Sequence, residues 1–298
     1  MIKALVIGLG NIGAQYDFNK DEILTHVKAF SLREDVELSV FDVNFKFKNT
    51  IVNKYKCLPF ETYAEIDFRL FDIVSICTPT KLHSKILKDC LKVNLPVILC
   101  EKPIASDVFE LDELKLLYEK STSKVLVNYF RRFHPNYRDL QQVIKKEDKK
   151  IIRIVVKYYK GWMNYASHAL DIIQYLLNKE LDFHNITETN RFIDFLSTDP
   201  SISLDIKGNV NISCLAIESV NALWEVEFYF ENYRVNLISG GQTIQLYKEN
   251  ILVWAKENQL KDYMFAVLNE AFLLLKEKNK NDNFLKSLDL NRNMLSII

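Results

Sequence analysis

The chain is predicted to be an α/β protein of two domains. Residues 1–125 read as a doubly wound parallel sheet, and residues 126–298 as an α+β domain with a large, open-faced, mostly antiparallel sheet. Three observations predict this. Short apolar strands alternate with amphipathic helices through the first 125 residues, the pattern of a parallel sheet with right-handed crossovers. The hexapeptide Gly8-Leu9-Gly10-Asn11-Ile12-Gly13 gathers three of the chain's seven glycines directly after the apolar run Ala4–Ile7. From Leu181 to Val253 the alternation gives way to successive strands punctuated by Gly and Asn turns.

The elements follow in order. Ala4–Ile7 is short, β-branched and apolar, as a strand buried on both faces must be. The glycine turn should open a helix, and Ile23–Leu32 reads as helical. Val36–Val43 is the second strand and carries Asp42 at its end. Phe71–Cys77 is a central strand stopped by Thr78-Pro79. Ser84–Lys92 is a helix whose Ile86, Leu87, Cys90 and Leu91 share one side. Pro96–Cys100 is the next strand, Asp107–Tyr118 a helix and Lys124–Val127 a further strand. Beyond the boundary, Tyr137–Lys145 and Ala166–Leu177 read as helices and Ile151–Lys160 as a long alternating strand. Trp224–Phe230 and Arg234–Ile238 belong to the large sheet. Leu260–Lys278 and Ser287–Ile298 are closing helices. A wide sheet with no helices on one face should expose apolar area, so that face is expected to join copies into a homodimer or homotetramer.

Strand, G-x-G-x-x-G and helix in that order make a dinucleotide site of Rossmann type. The first glycine permits a tight turn, the second lets backbone approach a pyrophosphate, and the third lets helix pack on strand. Gly8, Gly10, Asn11 and Ile12 are therefore candidate cofactor contacts. Asp42 at the second strand end would accept hydrogen bonds from a ribose and repel a 2′-phosphate, which favours NAD over NADP. It lies 29 positions beyond Gly13, against a usual spacing of about 20. A polar insertion near Gln15–Glu22 accounts for the excess. Lys46 nearby keeps NADP open. Ligands of such sheets bind at the carboxyl ends of strands. That makes Thr78, Pro79 and His83, after the central strand, candidates for the nicotinamide ribose.

Composition narrows the rest. The 298 residues are 48% hydrophobic and 26% charged, with zero formal net charge. That is an ordinary globular balance, with nothing that favours nucleic acid or an anionic membrane. No apolar run approaches the roughly 20 residues needed to span a bilayer. Residues 1–7 are too short for a signal sequence and read as part of the fold. Cys57, Cys77, Cys90, Cys100 and Cys214 show no metal or disulfide spacing, and Cys77 and Cys100 sit in strand-like runs. Buried thiols and a cytoplasmic location are expected. No H-E-x-x-H, paired carboxylate or cysteine cluster points to a metal.

Glu101-Lys102-Pro103 follows the strand ending at Cys100. A lysine there would point at the nicotinamide. Its ordinary pKa is about 10.4, and partial burial beside a positive ring would lower it. It would then take a hydroxyl proton or steady an alkoxide. Pro103 is a candidate for a cis bond. With these residues in sequence, G-L-G-N-I-G, C-T-P-T-K-L-H and E-K-P, the chain resembles the Gfo/Idh/MocA family, which includes glucose–fructose oxidoreductase and inositol dehydrogenase. The resemblance covers the first 135 residues and the 165–177 region.

The resemblance implies that Lys102 is the catalytic lysine and Glu101 its neighbour at the cofactor. Asn164-Tyr165-Ala166-Ser167-His168-Ala169-Leu170-Asp171 looks like the family's D-x-G-x-H-x-x-D signature. It implies that His168 contacts the substrate hydroxyl or relays its proton, with Asp171 one turn on to orient it. Asn164 replaces the first aspartate of the signature and Ala166 its glycine. Asn binds a hydroxyl but cannot accept its proton. Tyr129 and Arg132 resemble the family's inter-domain segment and are candidates for a substrate hydroxyl, phosphate or carboxylate. Trp162 and Tyr165 would stack on a sugar ring or pack in the core. His26, His134 and His184 have no motif around them. The expected activity is hydride transfer between NAD or NADP and a secondary alcohol or ketone of a sugar, cyclitol or nucleotide sugar. Two alternatives stay open: a non-catalytic NAD-binding regulator, and a reductase of an imine or bilin-type substrate.

Overall fold

A computed structural model describes residues 1–193, 198–218 and 223–298, with the side chains of residues 45 and 46 (Lys46 among them) outside the description. The chain forms two compact units. The first comprises Met1–Phe130 and Lys261–Asp289, and the second Arg131–Leu260 and Leu290–Ile298.

The first unit holds strands β1 (Ile2–Ile7), β2 (Val36–Phe41), β3 (Leu58–Pro59), β4 (Ile73–Ile76), β5 (Val97–Cys100) and β6 (Lys124–Val127). Its helices are α1 (His26–Ser31), α2 (Phe45–Tyr55), α3 (His83–Lys92) and α4 (Val108–Lys120). The sheet order is β3-β2-β1-β4-β5-β6. Every pairing in it is parallel. The order reverses between β1 and β4, so their carboxyl ends flank the crevice where such sheets bind ligands. β4 and β5 are buried at every position, which is why they read as unbroken apolar runs.

Two expectations need correction here. The glycine turn does not open an α-helix: Asn11–Gln15 is a single π-turn, and the α-helix proper starts only at His26. The cause is the polar insertion. Asp17, fully buried, accepts bonds from Leu24 N (2.6 Å), Thr25 N (2.8 Å) and Thr25 Oγ1 (2.7 Å). This carboxylate satisfies the amides that lead into α1, so the helix begins after the insertion. Second, residues 261–289 belong with the first unit rather than with the second domain. Asp282 accepts from Val125 N (2.8 Å), and the Asn283 side chain both accepts from Val127 N (2.9 Å) and donates to Val127 O (3.0 Å). The segment thereby covers the open edge of β6.

The second unit contains α5 (Pro135–Glu147), β7 (Ile151–Tyr158), α6 (Ser167–Leu177), β8 (Ile186–Ile193), β9 (Pro200–Ile206), β10 (Ile212–Ala216), β11 (Trp224–Phe230), β12 (Tyr233–Ile238), β13 (Thr243–Lys248) and β14 (Ile251–Glu257). Helices α7 (Tyr263–Lys276) and α8 (Phe284–Leu295) follow, α7 lying in the first unit. The eight strands run β14-β13-β12-β11-β7-β10-β9-β8. All described pairings are antiparallel except β7 with β10. Burial alternates strictly along β11 and β12, so one face of the sheet is core.

The opposite face mixes charged and apolar residues. Lys157 on β7 reaches Glu227 at 2.5 Å and Glu225 at 3.8 Å on β11. Arg234 lies over the Tyr247 ring at 4.5 Å. Beside these paired charges the same face carries apolar residues: Val155 and Ile238 are half-buried there and Leu215 is exposed. Ile251, Leu252 and Val253 on the edge strand β14 are exposed too.

Candidate active site

At the carboxyl ends of β1, β2 and β4 lies a hollow of about 640 Å³, lined by Gly8, Gly10, Asn11, Ile12, Asp42, Thr78 and Pro79 among others. These seven residues are the ones the sequence singled out there, and the fold brings them together. The glycines are used as the motif requires. Gly8 has φ +94°, and a Cβ on it would lie 2.6 Å from the Cys77 carbonyl carbon. A Cβ on Gly13 would lie 2.1 Å from Gly8 O, whereas one on Gly10 would meet nothing within 4 Å. Gly8 and Gly13 therefore serve close packing of the turn, and Gly10 leaves its backbone open to a ligand. Gly13→Ala should displace the turn and weaken NAD binding by about tenfold or more, roughly 1.4 kcal/mol. Calorimetric titration with NAD reads this, and an unchanged Kd would refute the packing role.

Asp42 is held in place before any ligand arrives. Its Oδ2 accepts from Leu9 N at 2.6 Å and its Oδ1 from Asn44 N at 2.7 Å. It ties the end of β2 to the glycine turn and presents a fixed carboxylate to the hollow. Thr78 Oγ1 is buried and has no protein hydrogen-bond partner. A buried hydroxyl left this way fits a ligand that supplies the missing bond. Open backbone at Gly10, a carboxylate at Asp42 and an orphan hydroxyl at Thr78 match the pyrophosphate and riboses of a dinucleotide.

His83 does not line the hollow. It is buried, with Nδ1 2.8 Å from Pro103 O and Nε2 2.7 Å from Thr78 O. Its ring ties the loop after β4 to the loop after β5, so it shapes the cofactor loop from behind.

Glu101 is also buried and turned inward. Its Oε1 receives His26 Nε2 at 2.9 Å and Asn128 Nδ2 at 2.6 Å. His26 Nδ1 lies 2.6 Å from Ser75 Oγ on β4. Burial works against charge on His26, but the Cys77 sulfur and the Glu101 carboxylate outweigh it and hold its pKa up at about 10. Burial pushes Glu101 upward too; the His26 and Asn128 bonds and the Lys102 charge more than offset this, so its pKa lies below the usual carboxylate value. The pair is an imidazolium and a carboxylate in the core. No motif surrounds His26 in the sequence. A signal was present: a carboxylate directly after a fully buried strand needs a cation. Lys102 follows, half-buried, with the Lys102–Pro103 bond cis. Tyr129 is buried.

In the second unit, Gly161 leads into a π-turn over Trp162–Ala166, and α6 continues from it at Ser167. Asn164 is exposed, and Tyr165 and His168 are half-buried. Trp162 is fully buried and donates from Nε1 to Met294 O at 3.1 Å, so it is core and not a stacking platform. Asp171 and Arg132 meet in the core of this unit. They form a buried two-bond pair with each other, Arg132 Nε to Oδ2 at 3.0 Å and Nη2 to Oδ1 at 2.5 Å. Burial pushes the Asp171 carboxyl up to about 6 against the pull of the guanidinium. A buried carboxylate needs a cation within reach, and Arg132 supplies it.

All five cysteines are buried and free. Among the described residues, no group of three His, Cys, Asp or Glu could hold a metal ion. No described helix is long and apolar enough to cross a membrane.

Comparison with known proteins agrees with this geometry. Residues 2–129 match the profile of the oxidoreductase family with an NAD-binding Rossmann fold, Gfo/Idh/MocA. This segment is thus similar to the NAD-binding domain of the Gfo/Idh/MocA oxidoreductases. An inositol 2-dehydrogenase of Mycolicibacterium smegmatis is 29% identical over 144 residues, covering 48% of this chain and 40% of that enzyme. The match thus spans well under half of the relative. A dehydrogenase of Clostridium difficile superposes with TM-score 0.78 at 18% identity, over 99% of this chain and 98% of that one. A UDP-N-acetylglucosamine 3-dehydrogenase of Acidithiobacillus ferrooxidans superposes with TM-score 0.76 at 16% identity, over 99% and 95%. At these identities the structures establish the shared fold, an N-terminal Rossmann domain joined to an open-sheet α/β domain.

Proposed function

We propose that this protein is a Gfo/Idh/MocA oxidoreductase, an NAD-dependent dehydrogenase acting on a secondary alcohol of a cyclitol, sugar or nucleotide sugar, or on the matching ketone in reverse. The observation that carries the reading is the position of Lys102. It follows β5 directly, beside β4, whose own carboxyl end supplies Thr78 to the dinucleotide hollow. Gly8, Gly10, Asn11, Ile12, Asp42, Thr78 and Pro79 would hold the cofactor, which when bound accepts or gives the hydride. Asp42 favours NAD because a 2′-phosphate would meet its charge. Lys102 would take the hydroxyl proton as the carbinol C–H bond breaks. His168 and Asn164 would bind or relay at hydroxyls, with Tyr165 beside them. The inositol 2-dehydrogenase and UDP-N-acetylglucosamine 3-dehydrogenase relatives support a polyol or nucleotide sugar as the substrate class.

NAD and NADP titration, followed by a screen of NAD reduction against cyclitols, sugars and nucleotide sugars, tests the reading. Turnover on one of these classes is the expected result. NAD binding with no turnover on any would instead favour a regulator. Self-association through the open sheet face would use its paired charges. It should therefore weaken between 0.05 and about 0.5 M salt, as Debye screening shortens, and sedimentation at the two salts reads it.

A further inference from the structure

The turn that carries Asn164 and leads to His168 has no acidic residue of its own, yet a carboxylate is built into it. Asp199, just before β9, accepts from Met163 N at 3.1 Å through Oδ1 and from Asn164 N at 2.7 Å through Oδ2. Two residues on, Ser201 Oγ accepts from Gly161 N at 3.0 Å. The approach to β9 thus grips both ends of the turn. Gly161 is shaped for this: its φ is +97°, and a Cβ there would lie 2.2 Å from Asp199 Oδ2. Any side chain at 161 would push the carboxylate off the turn. On the far side, Ser167 Oγ donates to Met163 O at 2.6 Å, which couples the same peptide to the first residue of α6.

This arrangement explains why position 164 is Asn. An aspartate there would bring a second carboxylate beside Asp199, and like charges that close disfavour each other. Asn keeps a hydroxyl-binding side chain on the exposed side of the turn without that conflict. Resting on the dehydrogenase reading above, we propose that Asp199 is a positioning residue for polyol binding: it supplies the turn's negative charge from outside the turn and fixes the direction of Asn164 and the start of the His168 helix.

The test is a charge swap. Asp199→Asn is expected to lower kcat/KM for the best polyol about 10–100-fold, mostly through KM, with NAD affinity unchanged within twofold. Asn164→Asp alone, at an exposed position, is expected to lower kcat/KM severalfold. The double variant Asp199→Asn/Asn164→Asp is expected to recover at least tenfold over Asp199→Asn. A purely structural role would not be rescued by moving the charge. The proposal is overturned if Asp199→Asn keeps wild-type kcat/KM, if the double variant is no better than Asp199→Asn, or if Asn164→Asp alone raises activity. If Asp199→Asn does not fold, the Asn164→Asp result decides alone. A wild type that turns over no polyol removes the dehydrogenase reading and this inference with it, an outcome read before any variant is made.

Discussion

Lys102→Ala is expected to lower kcat for polyol oxidation by about 10²- to 10⁴-fold, the usual worth of a positioned proton acceptor, while NAD still binds. Lys102 is not among the residues lining the dinucleotide hollow, so its loss should leave the NAD Kd within about threefold. Lys102→Arg separates two roles. Arginine keeps a positive charge but does not give up its proton. If Lys102 acts as a base, Arg should be as inactive as Ala; if it only stabilises an alkoxide electrostatically, Arg should retain most activity. Burst and steady-state measurements at saturating NAD, with exogenous amines added to the Ala variant, read the difference. Turnover by Lys102→Ala above a third of wild type would remove the lysine from the chemistry.

What the sequence made legible was the chemistry whose cause is local. The G-L-G-N-I-G turn works through atoms within one loop and its neighbouring strand, and its geometry followed from residue type alone. Lys102 stands out because it lies just past a recognisable buried strand. The pairs that hold the site were not visible, because they join distant residues: His26 to Glu101, 75 positions apart, and Arg132 to Asp171, 39 apart. Such pairs leave no periodicity. One helical turn after His168, Asp171 reads as an orienting carboxylate, and the spacing carries no trace of the buried Arg132 that it also binds. The insertion is a similar case. Its length is evident from the spacing to Asp42, but not that Asp17 uses it to hold Leu24 and Thr25 ahead of α1.

His26→Leu is expected to be the most destabilising single change in the first unit. It would leave Glu101 ionised and buried without its imidazolium, with the Asn128 amide and the Lys102 charge still beside it, and breaking a buried pair in this way costs about 3–5 kcal/mol. The sign of the pH dependence follows from the two pKa directions. His26 is raised from 6.5 to about 10, so its contribution is fully present below pH 6.5 and is lost as pH rises towards 10. Glu101 is lowered from 4.5, so its contribution is present above that pH and is lost as pH falls below it. The difference in urea stability between wild type and His26→Leu should therefore be largest between those limits and shrink as pH approaches 10. The double variant His26→Leu/Glu101→Gln should recover most of the loss, because the buried carboxylate that needed the imidazolium is gone. A stability difference that stays constant from pH 6.5 to 10, or a double variant no more stable than His26→Leu, would mean that the imidazole serves only to fill space. Recovery of stability without recovery of turnover would separate the two uses of Glu101: the core needs its charge to be paired, whereas Lys102 needs the carboxylate beside it to stay where His26 and Asn128 hold it.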